Sequence, residues 1–162
     1  MVTNKELHIN LIGKKYPKNI QNLIQRFRRP YPTGIDYIRR LDKEYKIIRD
    51  KGFVDTFERV CDILDLIKNK NIPHVLRGSA ASSLVCYQLG ISDIDPIKEK
   101  IPLTRFMNLC RDTQPDVDLD VPHWIRDLLI DEFHELHPNK VARISNKVMY
   151  KPKSAMREAI RK

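Results

Sequence analysis

Apolar positions recur at three- and four-residue steps through the first half of the chain, then give way to short alternating or irregular stretches. Ile35, Ile38, Leu41, Tyr45 and Ile48 form one such stripe, opening after Gly34 and closed by Gly52, which predicts a helix. Phe53, Phe57, Val60, Leu64 and Ile67 form a second, ending near Asn69-Lys70-Asn71 and Pro73. The facing stripes predict the helical half of a core. Residues 1–30 read as one or two short helices ending in Arg26-Phe27-Arg28-Arg29-Pro30. Pro30 and Pro32 mark residues 30–34 as a linker, so segment 1–33 is read apart from a main domain at 34–162.

Beyond residue 73 the pattern changes. His74-Val75-Leu76 is short and apolar, a buried strand running into Arg77-Gly78-Ser79 and a helix from Ala80 to Leu89, with Gly90 as its stop. Residues 91–103 read as irregular, and a short helix covers 105–109. Asp116 to Val121 alternates polar and apolar positions and predicts a strand. Pro122-His123-Trp124 opens a helix to about Leu136. Val141 to Ile144 is another strand candidate, and residues 152–162 a last basic helix running to the chain end. The fold class expected is α+β: a helix-rich N-terminal half packed on a small sheet.

The 162 residues, 41% hydrophobic and 31% charged, have a globular rather than a disordered composition. No apolar run approaches membrane-spanning length, and the N-terminus lacks the apolar stretch of a signal peptide, so a cytoplasmic location is expected. Cys61, Cys86 and Cys110 are widely spaced without CxxC, fitting buried reduced thiols better than disulfides or zinc ligands. The net charge of +9 is uneven. Residues 1–52 hold 13 Lys/Arg against 5 Asp/Glu, residues 140–162 hold 8 against 1, and the middle holds 9 against 15. Basic ends around an acidic centre suggest a polyanion-binding periphery about a metal-binding middle; lysine-rich solvated helix faces are the plainer explanation.

Two segments carry candidate chemistry. A strand followed by Gly78-Ser79 at a helix start offers unpaired backbone N–H groups to phosphate oxygens, with Gly permitting close approach and Ser donating or capping. Ordinary turn and N-cap chemistry explains the same residues, and the spacing is not that of a P-loop. In Asp116, Asp118 and Asp120, carboxylates two apart in a strand point the same way, about 6.6 Å apart. They can converge on magnesium, which takes carboxylates together with substrate phosphates and water. Acids are poor strand formers, yet a solvent-facing edge strand with Val117, Leu119 and Val121 inward is the alternative. Either Asp116 or Asp120 could instead orient a neighbour. His134 and His137, with Asp131 and Glu135, lack HExxH spacing and read as a polar helix face; His123 reads equally as substrate contact or helix cap.

Taken together, these blocks resemble the palm region of bacterial family C replicative DNA polymerases, the polymerase III alpha subunit. The stretch from Arg40 to Phe53 is similar to the helix leading into that palm. The run from Arg77 to Pro96 resembles the family's Gly-Ser segment, Arg105-Phe106-Met107-Asn108 and Arg111 its arginine-bearing segment, and Pro115 to Asp120 its Pro-Asp-x-Asp-x-Asp motif. The resemblance implies a partial nucleotidyltransferase palm of the polymerase β type. It implies that Gly78 and Ser79 bind the incoming triphosphate, that Arg105, Arg111 and Arg77 contact its oxygens, and that catalytic Asp116 and Asp118 hold two Mg2+ ions, with Asp120 in support. It also implies a DNA primer-template and a deoxynucleoside triphosphate as partners. Two features depart from the family. Pro73-His74-Val75-Leu76 replaces its glycine-rich loop, and the chain ends before its third catalytic aspartate. A second polymerase chain carrying that aspartate and the fingers is therefore expected. The alternatives are a non-catalytic palm-derived module that binds nucleotide or DNA, and a small stand-alone nucleotidyltransferase.

Overall fold

Three helices start and stop where the apolar stripes do. The computed structural model describes residues 15–110, 113–145 and 149–161. Helix α1 covers Lys18–Gln25, α2 Ile35–Asp50 and α3 Val54–Asn69. Leu41, Tyr45 and Ile48 of α2 and Phe57, Val60, Leu64 and Ile67 of α3 are buried. Between them Gly52 takes a left-handed φ of 67°. Its N–H donates to the Arg49 carbonyl while that of Phe53 reaches back to Ile48, the paired bonds that end a helix on glycine. Asn71 closes α3 in the same way, with a φ of 53°.

Ile20, Leu23 and Ile24 of α1, with Phe27 and Tyr31 beyond it, lie in the same core as α2 and α3. The arginines that follow α1 neutralise acids of the central region. Arg26 pairs with Asp62 and Asp65 at 2.8 Å, Arg28 with Asp65, and Arg29 with Asp93 at 2.7 Å. Arg29 also lies over the Tyr87 ring at 4.3 Å. The composition pointed these arginines toward an external polyanion; the fold turns them onto its own acids.

Strands β1 (Val75–Arg77) and β2 (Asp118–Asp120) pair antiparallel, with Val75 opposite Asp120, Leu76 opposite Leu119 and Arg77 opposite Asp118. Leu76 and Leu119 pack on the core. The expected buried strand at 74–76 is thus shifted by one residue, and Val75 is 66% exposed because it shares the outer face with Arg77. The expected helix from Ala80 to Leu89 is broken in two. Gly78–Ser82 is a 3-10 helix, and α4 covers Leu84–Gln88 after an extended Ser83. The Ser83 hydroxyl caps α4 by accepting from the Cys86 N–H. A further 3-10 turn, Leu103–Arg105, stands where a helix at 105–109 was expected.

Helix α5 spans His123–Leu136 and α6 spans Pro152–Arg161. Residues 141–144, read as a strand, form none: the sheet of the described residues has two strands, and Ile144 is 97% exposed. The chain divides into two compact units after Arg126. The first holds nearly the whole core, including Cys61 and Cys86, whereas Cys110 is exposed, against the expectation of three buried thiols. In the second, Arg143 pairs with Asp127 at 3.3 Å, and α6 buries no residue. No helix among the described residues is long and apolar enough to cross a membrane.

Candidate phosphate and metal site

The candidate site lies on the outer face of the antiparallel pair β1 and β2. Register places Arg77 directly opposite Asp118, and the chain then turns through Gly78 with a φ of 84°. A Cβ built on Gly78 would stand 3.0 Å from Asp118 Oδ2. Glycine is needed for its left-handed backbone, and a side chain there would also press on the Asp118 carboxylate. Asp116, Asp118 and Asp120 are all exposed, while Val117 and Leu119 between them are partly buried and packed on the core. The alternation read from the sequence persists through all five positions.

The three acids are not equivalent. Asp120 receives Arg77 in a forked contact, Nε at 3.0 Å and Nη2 at 3.3 Å. This diagonal cross-strand pair keeps the Arg77 guanidinium more firmly protonated, chiefly through its hydrogen bond to Asp120. Asp118 faces the Gly78 turn instead. Among the described residues no group of three or more His, Cys, Asp or Glu side chains is placed to hold a metal, so the His134–His137 end of α5 assembles no centre. Two carboxylates with substrate phosphates and water nevertheless suffice for magnesium.

Ser79 is the second residue of the 3-10 helix Gly78–Ser82, whose first N–H groups have no acceptor within it. Its carbonyl receives the Ser82 hydroxyl at 2.8 Å, which tightens the turn. The neighbouring 3-10 turn packs against this one and carries Arg105, whose side chain is exposed and makes no hydrogen bond or ion pair among the described residues. Arg111 lies outside the described residues.

Beneath the turn is a residue that sequence reading passed over. Glu44 of α2 is fully buried and accepts from the Ser83 hydroxyl at 2.7 Å, Leu84 N–H at 2.9 Å and Val85 N–H at 3.0 Å. Arg40, one helical turn back, donates to it at 2.8 Å. The signal was present: Leu41, Glu44, Tyr45 and Ile48 make an i, i+3, i+4, i+7 stripe, so a carboxylate stood on the apolar face.

The family model of the bacterial DNA polymerase III alpha NTPase domain matches residues 12–162. Over 126 residues, 75% of this chain, it is 41% identical to a DNA polymerase III subunit alpha of Ureaplasma parvum, covering 13% of that protein. An error-prone DNA polymerase of Rhodopseudomonas palustris is 34% identical over 150 residues, 90% of this chain and 13% of the relative. Another from Cutibacterium acnes is 35% identical over 120 residues, 74% of this chain and 11% of the relative. The chain thus spans little more than a tenth of the length of these relatives. Matched over almost its whole length by one family model, and at such identities by these polymerases, it belongs to the bacterial DNA polymerase III alpha NTPase-domain family.

Proposed function

We propose that this chain is the palm part of a DNA-directed DNA polymerase, adding deoxynucleotides to a primer 3′-hydroxyl in the cytoplasm. The observation that carries the reading is the seat of Asp118: opposite Arg77 and close against Gly78, where a Cβ would stand 3.0 Å from its carboxylate. A hard oxygen donor beside an exposed glycine turn suits a magnesium-bound triphosphate.

In this reading the Gly78 and Ser79 N–H groups and the Ser79 hydroxyl hold phosphate oxygens. Arg105 and Arg111 neutralise the same triphosphate, to which the planar guanidinium fork is matched. Asp120 holds Arg77 in place for a further phosphate contact. Asp116 and Asp118 are the carboxylates that would hold two Mg2+ ions, which would lower the pKa of the attacking hydroxyl and stabilise the leaving oxygens. In-line attack of the hydroxyl on the α-phosphate then expels pyrophosphate. Such transfer needs positioning and charge neutralisation rather than a covalent intermediate. In this reading a third aspartate and the fingers, supplied from outside these residues, complete the site around the primer-template.

Primer extension, with and without a co-purified partner, tests this by comparing wild type with Asp118→Ala. The expected result is extension by the wild-type assembly and its loss in the variant at unchanged thermal stability. Extension unaltered by the substitution removes Asp118 from the mechanism. Magnesium-dependent nucleotide binding without transfer, whatever partner is added, would replace the enzyme by a binding module. Incorporation without a DNA primer would point to another nucleotidyltransferase substrate.

A further inference from the structure

The Arg40–Glu44 pair reaches further than one helix cap. Arg40 Nε donates to Glu44, while Nη2 donates to the Ser82 carbonyl at 2.6 Å and to the Ile101 carbonyl at 3.2 Å. Ser82 in turn holds the Ser79 carbonyl, and Ile101 leads through Pro102 into the turn that presents Arg105. Glu44 fixes the next stretch, Ser83 to Val85. One half-buried guanidinium therefore spans both segments assigned to the triphosphate, from the helix behind them.

A buried ion pair is a poor source of net stability, since well-packed apolar side chains often serve as well or better. What apolar side chains cannot do is hold two carbonyls in set directions. We infer that Arg40, oriented by Glu44, is a positioning residue that sets the Gly78–Ser79 turn against the Arg105 turn and so fixes the geometry of a bound triphosphate. This rests on the reading of the site proposed above.

The test uses the full chain, with magnesium–dATP as the probe and backbone amide NMR signals as a second readout. The variant is Arg40→Met with Glu44→Gln, which removes both charges yet keeps one of the two oxygens that accept the Leu84 and Val85 N–H groups. Arg40→Lys serves as the milder variant if the double one does not fold: it keeps the charge, but a single ammonium cannot span all three acceptors. The expected result is a loss of magnesium–dATP affinity of about tenfold or more, the scale of disturbed outer-shell partners. It should come with shifted amide signals at both Ser79 and Arg105. Because Arg40 would act through Arg105, its effect should shrink in an Arg105→Ala background. Arg26→Gln, which breaks a different ion pair, should lower stability without weakening binding.

Unchanged affinity, or amide signals at Ser79 and Arg105 that stay in place, overturns the inference. Undiminished loss in the Arg105→Ala background also counts against it. A wild-type chain that binds no magnesium–dATP removes the triphosphate reading instead. The amide signals then decide by themselves whether the pair sets the two turns.

Discussion

Two sets of acids flank the same short turn and live under opposite conditions. Glu44, behind it, is fully buried, with four donors gathered about one carboxylate. Asp116, Asp118 and Asp120, in front, are exposed. Desolvating a charge is costly unless partners replace water, so the rear acid determines shape and tolerates no vacancy. Of the front acids, Asp120 is taken by Arg77, whereas exposed Asp118 faces the turn and is open to a ligand. The contrast teaches that, within one motif, burial separates residues that build the turn from residues left able to do chemistry.

Glu44→Ala breaks that contrast most severely. It leaves Arg40 without its buried partner and three donors unsatisfied, and should destabilise the chain by about 3–5 kcal/mol, read from the urea midpoint by far-UV circular dichroism. A midpoint close to wild type would show that the rear acid is dispensable to the fold. Gly78→Ala tests the boundary between the two sets. Forcing alanine into the left-handed region costs about 1–3 kcal/mol, and the new methyl meets Asp118. Stability and magnesium–dATP affinity should fall together, and a loss of stability alone would separate the turn from the site.

Asp42 sharpens the comparison as a surface-facing acid that is nonetheless partnered. Partial burial would raise its pKa, but hydrogen bonds from Lys15, Tyr16 and Lys46 outweigh this and bring it from 3.8 down to about 2. Its folded value lies below its unfolded one, so its contribution is present above about pH 4 and is lost as pH falls toward 2. After discounting for solvent screening this is worth about 1 kcal/mol. Melting curves of Asp42→Asn should show a shallower loss of Tm between pH 4 and pH 2, and an acid limb unchanged from wild type would remove Asp42 from it. Asp118→Asn should have the smallest effect on stability, within about 0.5 kcal/mol as for other exposed positions, while extension is lost. A larger stability change would make Asp118 a structural residue like Glu44.

The same division marks what could be read in advance. Helices α2 and α3 appeared with nearly correct limits because a long apolar stripe and a left-handed stop are local signals. Asp116, Asp118 and Asp120 alternate with Val117 and Leu119 as expected, because alternation is also local. The break at Ser83 was not legible, because the N–H groups beyond it are taken by Glu44, 39 or more positions away in the chain. Arg26, Arg28 and Arg29 looked like an external basic patch for a similar reason: their acids come from α3 and from the loop after α4.

Local periodicity, turn residues and the acidic alternation were thus set by the order of residues alone, since each depends on neighbours a few positions apart. Tertiary structure decided which charges were left for chemistry. That choice depends on desolvation and on donors from distant segments, so only the packed chain separates Glu44, enclosed behind the turn, from Asp118, open in front of it.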